Sequence, residues 1–140
     1  LAVEAISLIY LNPATQPTKA EVLKEPAKGL HILSNFETKH SDLLKGYQQF
    51  RHFIDLQVCE LELSKVGEAY HDFPGGGFTA VICLAESHLS IHTWPDLNYA
   101  TFDVYLSNHS RDNSAKAEAI YLAVIQFFSA QVLYENQINR

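Results

Sequence analysis

Methionine is absent from all 140 residues, tryptophan occurs once and cysteine only twice. Without a methionine, Leu1 is not expected to be the translated start. Cys59 and Cys83 cannot build a disulfide framework, and a reducing compartment suits such a chain. No apolar run approaches the roughly 20 residues that cross a bilayer. Residues 1–11 carry Glu4 and have no basic start of a leader peptide. The expectation is a cytoplasmic protein with no membrane partner. Basic residues are also scarce, 10 Lys and Arg against 16 Asp and Glu, for a formal net charge of −6. Ten scattered cations give phosphates no track to follow, so nucleic acid is not an expected partner, whereas the acidic balance suits a small cationic ligand. Against these shortages stands an apolar share of 47%. A chain of this length buries roughly two thirds of its unfolded surface, enough for one globular domain without staples.

Residues 12–27 hold three prolines among many polar side chains and suit a connector, which makes 1–27 an N-terminal extension and 28–140 the folded domain. Within the extension, residues 3–11 are apolar and β-branched enough for an added strand, with a helix left open. After His40-Ser41-Asp42, apolar residues recur at helical steps at Leu43, Tyr47, Phe50, Ile54 and Val58, behind a Ser or Asp cap. A second helical stripe starts at Ser114 with Ala117, Ile120, Tyr121, Val124, Phe127 and Phe128. Between them the period falls to two, and 66–73, 78–86, 88–94 and 99–107 read as strands, punctuated by Pro74-Gly75-Gly76-Gly77 and Pro95-Asp96-Leu97-Asn98. Residues 29–36 and 131–139 add a strand each. The order predicts an α+β two-layer sandwich, an antiparallel sheet with two helices on one face.

Alternation sorts the side chains by face. His88, Ser90, His92 and Trp94 share one face of their strand, and Leu89, Ile91 and Thr93 the other. Tyr99, Thr101, Asp103, Tyr105 and Ser107 stand opposite Ala100, Phe102, Val104 and Leu106 in the same way. The apolar faces belong under the helices. A sheet face of His, Ser, Thr, Asp and aromatics is then left without cover, as a binding surface or as the contact with a second protomer.

Residues 85–96, Ala-Glu-Ser-His-Leu-Ser-Ile-His-Thr-Trp-Pro-Asp, resemble the signature of the prokaryotic S-adenosylmethionine decarboxylases, a pyruvoyl-dependent family. The likeness continues through Asn98-Tyr99-Ala100 and Asp103-Val104-Tyr105 and back to Gly29-Leu30-His31, covering about 28–140. It implies a proenzyme that cuts itself between Glu86 and Ser87. The serine hydroxyl attacks its own preceding carbonyl, and the new α chain begins with a pyruvoyl group made from Ser87. It implies His92 as the processing histidine and Thr79 in place of the family's second processing serine. Phe73 and Trp94 would stack on an adenine, with Asp96 where the family commonly has Glu for the ribose. It also implies a homodimer whose sheets face each other, with active sites built from both chains.

Two further positions depart from the pattern. Ser107 stands where the family typically has the cysteine that returns a proton to the decarboxylated carbon, and a hydroxyl ionises far less readily than a thiol of pKa near 8.5. Asn35 replaces a Glu. If the strand continued past Ser107, His109 would share its face and could supply the proton. The expected function is therefore a pyruvoyl-dependent decarboxylase of S-adenosylmethionine. Its alternatives are decarboxylation of ornithine or arginine, or a non-catalytic, proenzyme-like regulatory subunit.

Other readings compete at single residues. His88 and His92 could ligate a metal with His71 or His109, but four residues of strand separate the two by about 13 Å, so no metal is expected. No helix pattern follows Gly75-Gly76-Gly77, which argues for a hairpin turn over a phosphate loop. Cys83 is read as a small apolar side chain on a buried strand, and Asp103, part of the resemblance, could equally be a satisfied polar residue at a dimer seam.

Overall fold

The computed structural model describes residues 28–140. The expected extension 1–27 and its strand over 3–11 lie outside the described residues. Strand β1 is Gly29–Glu37, followed by a 3-10 turn at Ser41–Leu44 and helix α1 at Gln48–Glu60. Three strands come next, β2 at Lys65–Asp72, β3 at Phe78–Leu84 and β4 at Ser87–Trp94. A short 3-10 turn, Pro95–Leu97, leads into β5 at Tyr99–Ser107, then α2 at Ser114–Phe127 and β6 at Gln131–Asn139. The strands form one sheet in the order β2-β3-β4-β5-β1-β6. Every neighbouring pair is antiparallel.

The period-two pattern becomes burial directly. Along β5, Ala100, Phe102, Val104 and Leu106 are buried and the residues between them are partly open. Leu89, Ile91 and Thr93 of β4 point the same way, as do Phe78, Ala80, Ile82 and Leu84 of β3. Both helices lie over this face. α1 buries Phe50, Ile54 and Val58, and α2 buries Ala117, Ile120, Tyr121 and Val124. Phe50 joins the layers, its ring 5.7 Å from Phe78, 6.1 Å from Phe128 and 6.4 Å from Phe127. Each such buried ring contributes about 1.5–3 kcal/mol relative to an exposed one.

Helix α1 begins later than the apolar spacing suggests. The residues after His40 form the 3-10 turn, which buries Leu44, and neither Ser41 nor Asp42 caps the α-helix. Gly46 interrupts the helix. A side chain from β2 supplies the missing cap, because Asp72 Oδ1 accepts the Tyr47 amide at 3.0 Å. The amide of Ser114, at the start of α2, likewise goes to the carboxylate of Asp112, which this bond holds below its ordinary pKa. Cys83 is exposed, not buried, since it alternates with Ile82 and Leu84 and so faces away from the helices. The glycine run is a hairpin turn, as its spacing implies. Gly76 and Gly77 have φ of +91° and +93°, and the Phe73 and Gly77 backbones pair across it.

Thr93 is a buried polar knot among β3, β4 and the 3-10 turn. Its hydroxyl oxygen accepts the Phe78 amide at 2.8 Å and its proton goes to the Leu44 carbonyl at 2.8 Å. Thr93→Val keeps the shape and strands both partners. The expected loss is about 1–3 kcal/mol, read as a lower urea midpoint with an unchanged slope.

Candidate active site on the open sheet face

The other sheet face carries no helix among the described residues. Strand register sets its side chains in rows. Cys83, His88, Tyr105, His31 and Ile138 lie across the sheet in one row, and Val81, Ser90, Asp103, Leu33 and Asn136 in the next. A third row holds His71, Thr79, His92, Thr101, Asn35 and Tyr134. Beyond it Trp94 pairs with Tyr99.

The expected cleavage residues sit beside the first row, at the start of β4, where Ser87 pairs with Leu84 and Leu106. Ala85 and Glu86 make the turn between β3 and β4, flanked by the pair Leu84 and Ser87. Ser87 has φ of +144°, a region that L side chains rarely adopt and that costs on the order of 1–3 kcal/mol. The Glu86 carbonyl is held from across the sheet by the Ser107 amide at 2.8 Å. Glu86's side chain is anchored as well. Its Oε2 accepts the Ser64 amide at 3.2 Å, and the Arg111 guanidinium lies 3.8 Å from Oε1. The Glu86–Ser87 linkage is thus gripped on its carbonyl and its acyl side chain while the following residue is strained.

Ser107 is the last residue of β5, and its hydroxyl accepts the His109 amide at 3.2 Å. His109 does not continue the strand, so the expectation that it shares the Ser107 face fails. The chain turns at Asn108, whose side-chain oxygen accepts the Asn113 amide, while Asn113 donates to the Ser107 carbonyl.

The other expected site residues gather at the opposite end. Thr79 Oγ1 lies 2.5 Å from His92 Nδ1, a pair that fixes the imidazole and leaves Nε2 for chemistry. Phe73, His92 and Trp94, with Gly76, Phe78 and Thr93, line a shallow cavity of about 260 Å³. Phe73 and Trp94 are 48% and 41% exposed, which leaves aromatic surface for a ring to lie on. Asp96, in the 3-10 turn after β4, is exposed and does not line that cavity. Ser87 and His92 are five residues apart on one strand, about 16 Å by strand rise, so within one chain they do not meet.

A cluster that the sequence reading did not assemble lies between the two ends. His31 Nε2 is 3.0 Å and His88 Nε2 3.5 Å from the same oxygen of Asp103, and the Ser90 hydroxyl donates to the other oxygen. Asp103 is therefore hydrogen-bonded on both carboxylate oxygens. The three ligand-type atoms lie within 4.8 Å of one another. Such a set could hold a divalent cation, and without one it is a polar cluster in which His31 hydrogen-bonds Asp103 and His88 approaches the same oxygen. The strands that supply it are β1, β4 and β5, so spacing along the chain carried no signal. His88 and His92 do not converge on a common point.

The family described as S-adenosylmethionine decarboxylase matches residues 30–140. A protein named S-adenosylmethionine decarboxylase proenzyme from Hydrogenobaculum sp. (strain Y04AAS1) is 42% identical over 77 residues, 55% of this chain and 58% of that one. A proenzyme of the same name from Persephonella marina is 36% identical over 102 residues, 73% of this chain and 76% of the relative. The match thus spans little more than half of the first relative and three quarters of the second. In three dimensions the chain is similar to the crystal structure of the adenosylmethionine decarboxylase from Aquifex aeolicus, with a TM-score of 0.68 and 28% identity over 83% of this chain and 91% of that one. The strand order, the strained serine between a gripped carbonyl and a histidine, and these likenesses agree, and the chain belongs to the S-adenosylmethionine decarboxylase family.

Proposed function

We propose that the chain is a proenzyme that cuts itself between Glu86 and Ser87 and then decarboxylates S-adenosylmethionine from a pyruvoyl group at position 87. The observation that carries this reading is the grip on the Glu86 carbonyl by the Ser107 amide beside a serine held at φ of +144°. Attack by Ser87 Oγ on that carbonyl carbon puts negative charge on the oxygen that the amide already faces, which is where a preorganised donor lowers the barrier most. Collapse breaks the C–N bond, the nitrogen takes the hydroxyl proton, and an ester replaces the amide. Loss of the Ser87 α-proton then expels Glu86 as a carboxylate. The remaining dehydroalanine tautomerises to an imine, which water hydrolyses to pyruvoyl with release of ammonia. The Ser107 donor is backbone, so the replacement of cysteine by serine leaves this half of the chemistry intact.

A proton carrier is needed for elimination, and Thr79 with His92 is the built pair. Because His92 cannot reach Ser87 in its own chain, the pair of a second copy supplies it in a homodimer whose open sheet faces meet. The side chains of that face suit such burial, since Val81, Trp94, Tyr134 and Ile138 are all at least 38% exposed in the single chain. The pyruvoyl carbonyl would condense with the substrate amine and draw off the electron pair left by carbon dioxide. Phe73 and Trp94 would flank the adenine, and the acidic protein suits a sulfonium. Ser107 and Asn35 favour a second reading, decarboxylation of ornithine or arginine, because both departures fall where substrate or returning proton is expected.

Ser87→Gly and Ser87→Ala both remove the nucleophile and are expected to stay as one band on a denaturing gel, whereas the parent gives two fragments with a pyruvoyl-ended α chain by intact mass. Glycine accepts the positive φ and alanine does not, so Ser87→Gly is expected to be more stable than Ser87→Ala by about 1 kcal/mol. An intact parent chain after long incubation would favour the proenzyme-like regulatory subunit.

His92→Ala alone is expected to remain uncut. Co-expressed with Ser87→Ala, the His92→Ala chain is expected to be cut, because the other chain brings an intact His92. Absence of rescue, or a monomer by light scattering at micromolar concentration, would contradict the shared site.

Carbon dioxide release from processed protein is expected with S-adenosylmethionine, and Ser107→Cys is expected to raise it by about tenfold or more if proton return limits turnover. Release from ornithine or arginine, and none from S-adenosylmethionine, would reverse the substrate order.

A further inference from the structure

We propose that Asp103, through His31 and His88, is the clamp that keeps residue 87 in place after the chain has been cut, a role that rests on the self-cleaving reading and deepens it. Before the cut, residue 87 is held from both sides by covalent bonds. Afterwards it is the first residue of a free chain, at a strand terminus, where fraying is the default. Only its pairing to Leu84 and Leu106 and the hold on the next residue remain.

That next residue is His88. Its ring leans on Asp103, whose Oδ2 lies 3.5 Å from His88 Nε2 and 3.0 Å from His31 Nε2. Ser90 fixes the other carboxylate oxygen, so the acceptor cannot swing away. Tyr105 closes the group, its ring centroid 5.5 Å from His31 and 6.0 Å from His88. The second residue of the new chain is thereby tied to β5 and β1 by side chains as well as by the strand ladder, and it holds residue 87 through one peptide bond. His31 is the most enclosed member, with its side chain 12% exposed, and it sits on the piece N-terminal to the cut, whereas His88 and Asp103 sit on the other piece. The clamp therefore also bridges the two fragments.

Asp103 touches no reacting atom in this arrangement. It is a positioning residue acting through His88. A carbonyl displaced by an ångström from its working geometry loses rate steeply, while the uncut chain is indifferent because its own backbone holds the serine. This separates the two stages.

The test compares the parent with Asp103→Asn, which keeps the shape, and with His31→Gln, which removes one arm of the clamp if the first variant folds poorly. Cleavage, followed by intact mass, is expected within about twofold of the parent, while kcat for S-adenosylmethionine falls about tenfold or more at similar KM. Hydroxylamine, which captures the pyruvoyl carbonyl whatever the substrate is, is expected to react faster with the variants than with the parent, because the loosened terminus is more accessible. Parental kcat and hydroxylamine rates in a processed variant would overturn the clamp. Cleavage slowed as much as turnover would also overturn it, in favour of a purely structural role. A parent chain that never cuts would overturn the self-cleaving reading itself, and the clamp with it.

Discussion

Phe50 of α1 is packed against Phe78 of β3 and against Phe127 and Phe128 at the end of α2. That junction commits both helices to one face of the sheet. Among the described residues, both helices spend their burial on that side, and the opposite face keeps its polar and aromatic side chains open. The site is thus a consequence of packing asymmetry. The same residues spread over two buried faces would each need an internal partner.

Much of the fold was readable from period alone. Residues 99–107 alternate without a break, and the strand that forms is the one read, with Ala100, Phe102, Val104 and Leu106 all buried. Residues 88–94 gave the right faces but an edge one residue late, because Ser87 is already paired. The start of α1 was misread for a physical reason. Its cap is Asp72, 24 residues after the helix start and on another element, so local cap chemistry at Ser41 and Asp42 pointed to the wrong turn. Cys83 was misplaced by treating its strand as buried on both sides, although a sheet with one covered face exposes every second residue.

The site was legible where a hairpin fixes it and illegible where the chain must travel. A two-residue turn at 85–86 sets Leu84 against Ser87 and, counting outward, Thr79 against His92, so that pair could have been derived by register. The short turn at 95–98 sets Trp94 against Tyr99 and, counting outward, brings Ser107 to Glu86 in the same way, whereas the His31 arm of the His31-Asp103-His88 group needed the placement of a distant strand, since β1 reaches β5 only after the whole first half of the domain. Resemblance named the candidate site residues but said nothing of what holds them.

The strand order has a topological result. A break after Glu86 would leave β1, β2 and β3 on one piece and β4, β5 and β6 on the other. In the sheet, β1 lies between β5 and β6, and β3 lies against β4. The two pieces would then be interleaved like the teeth of a clasp, with β1 flanked on both edges by strands of the other piece. Separating them would require opening three antiparallel ladders and the shared core at once, which is the same event as unfolding. A protein with this order can lose a peptide bond in the middle of its sheet and remain, thermodynamically, one folding unit.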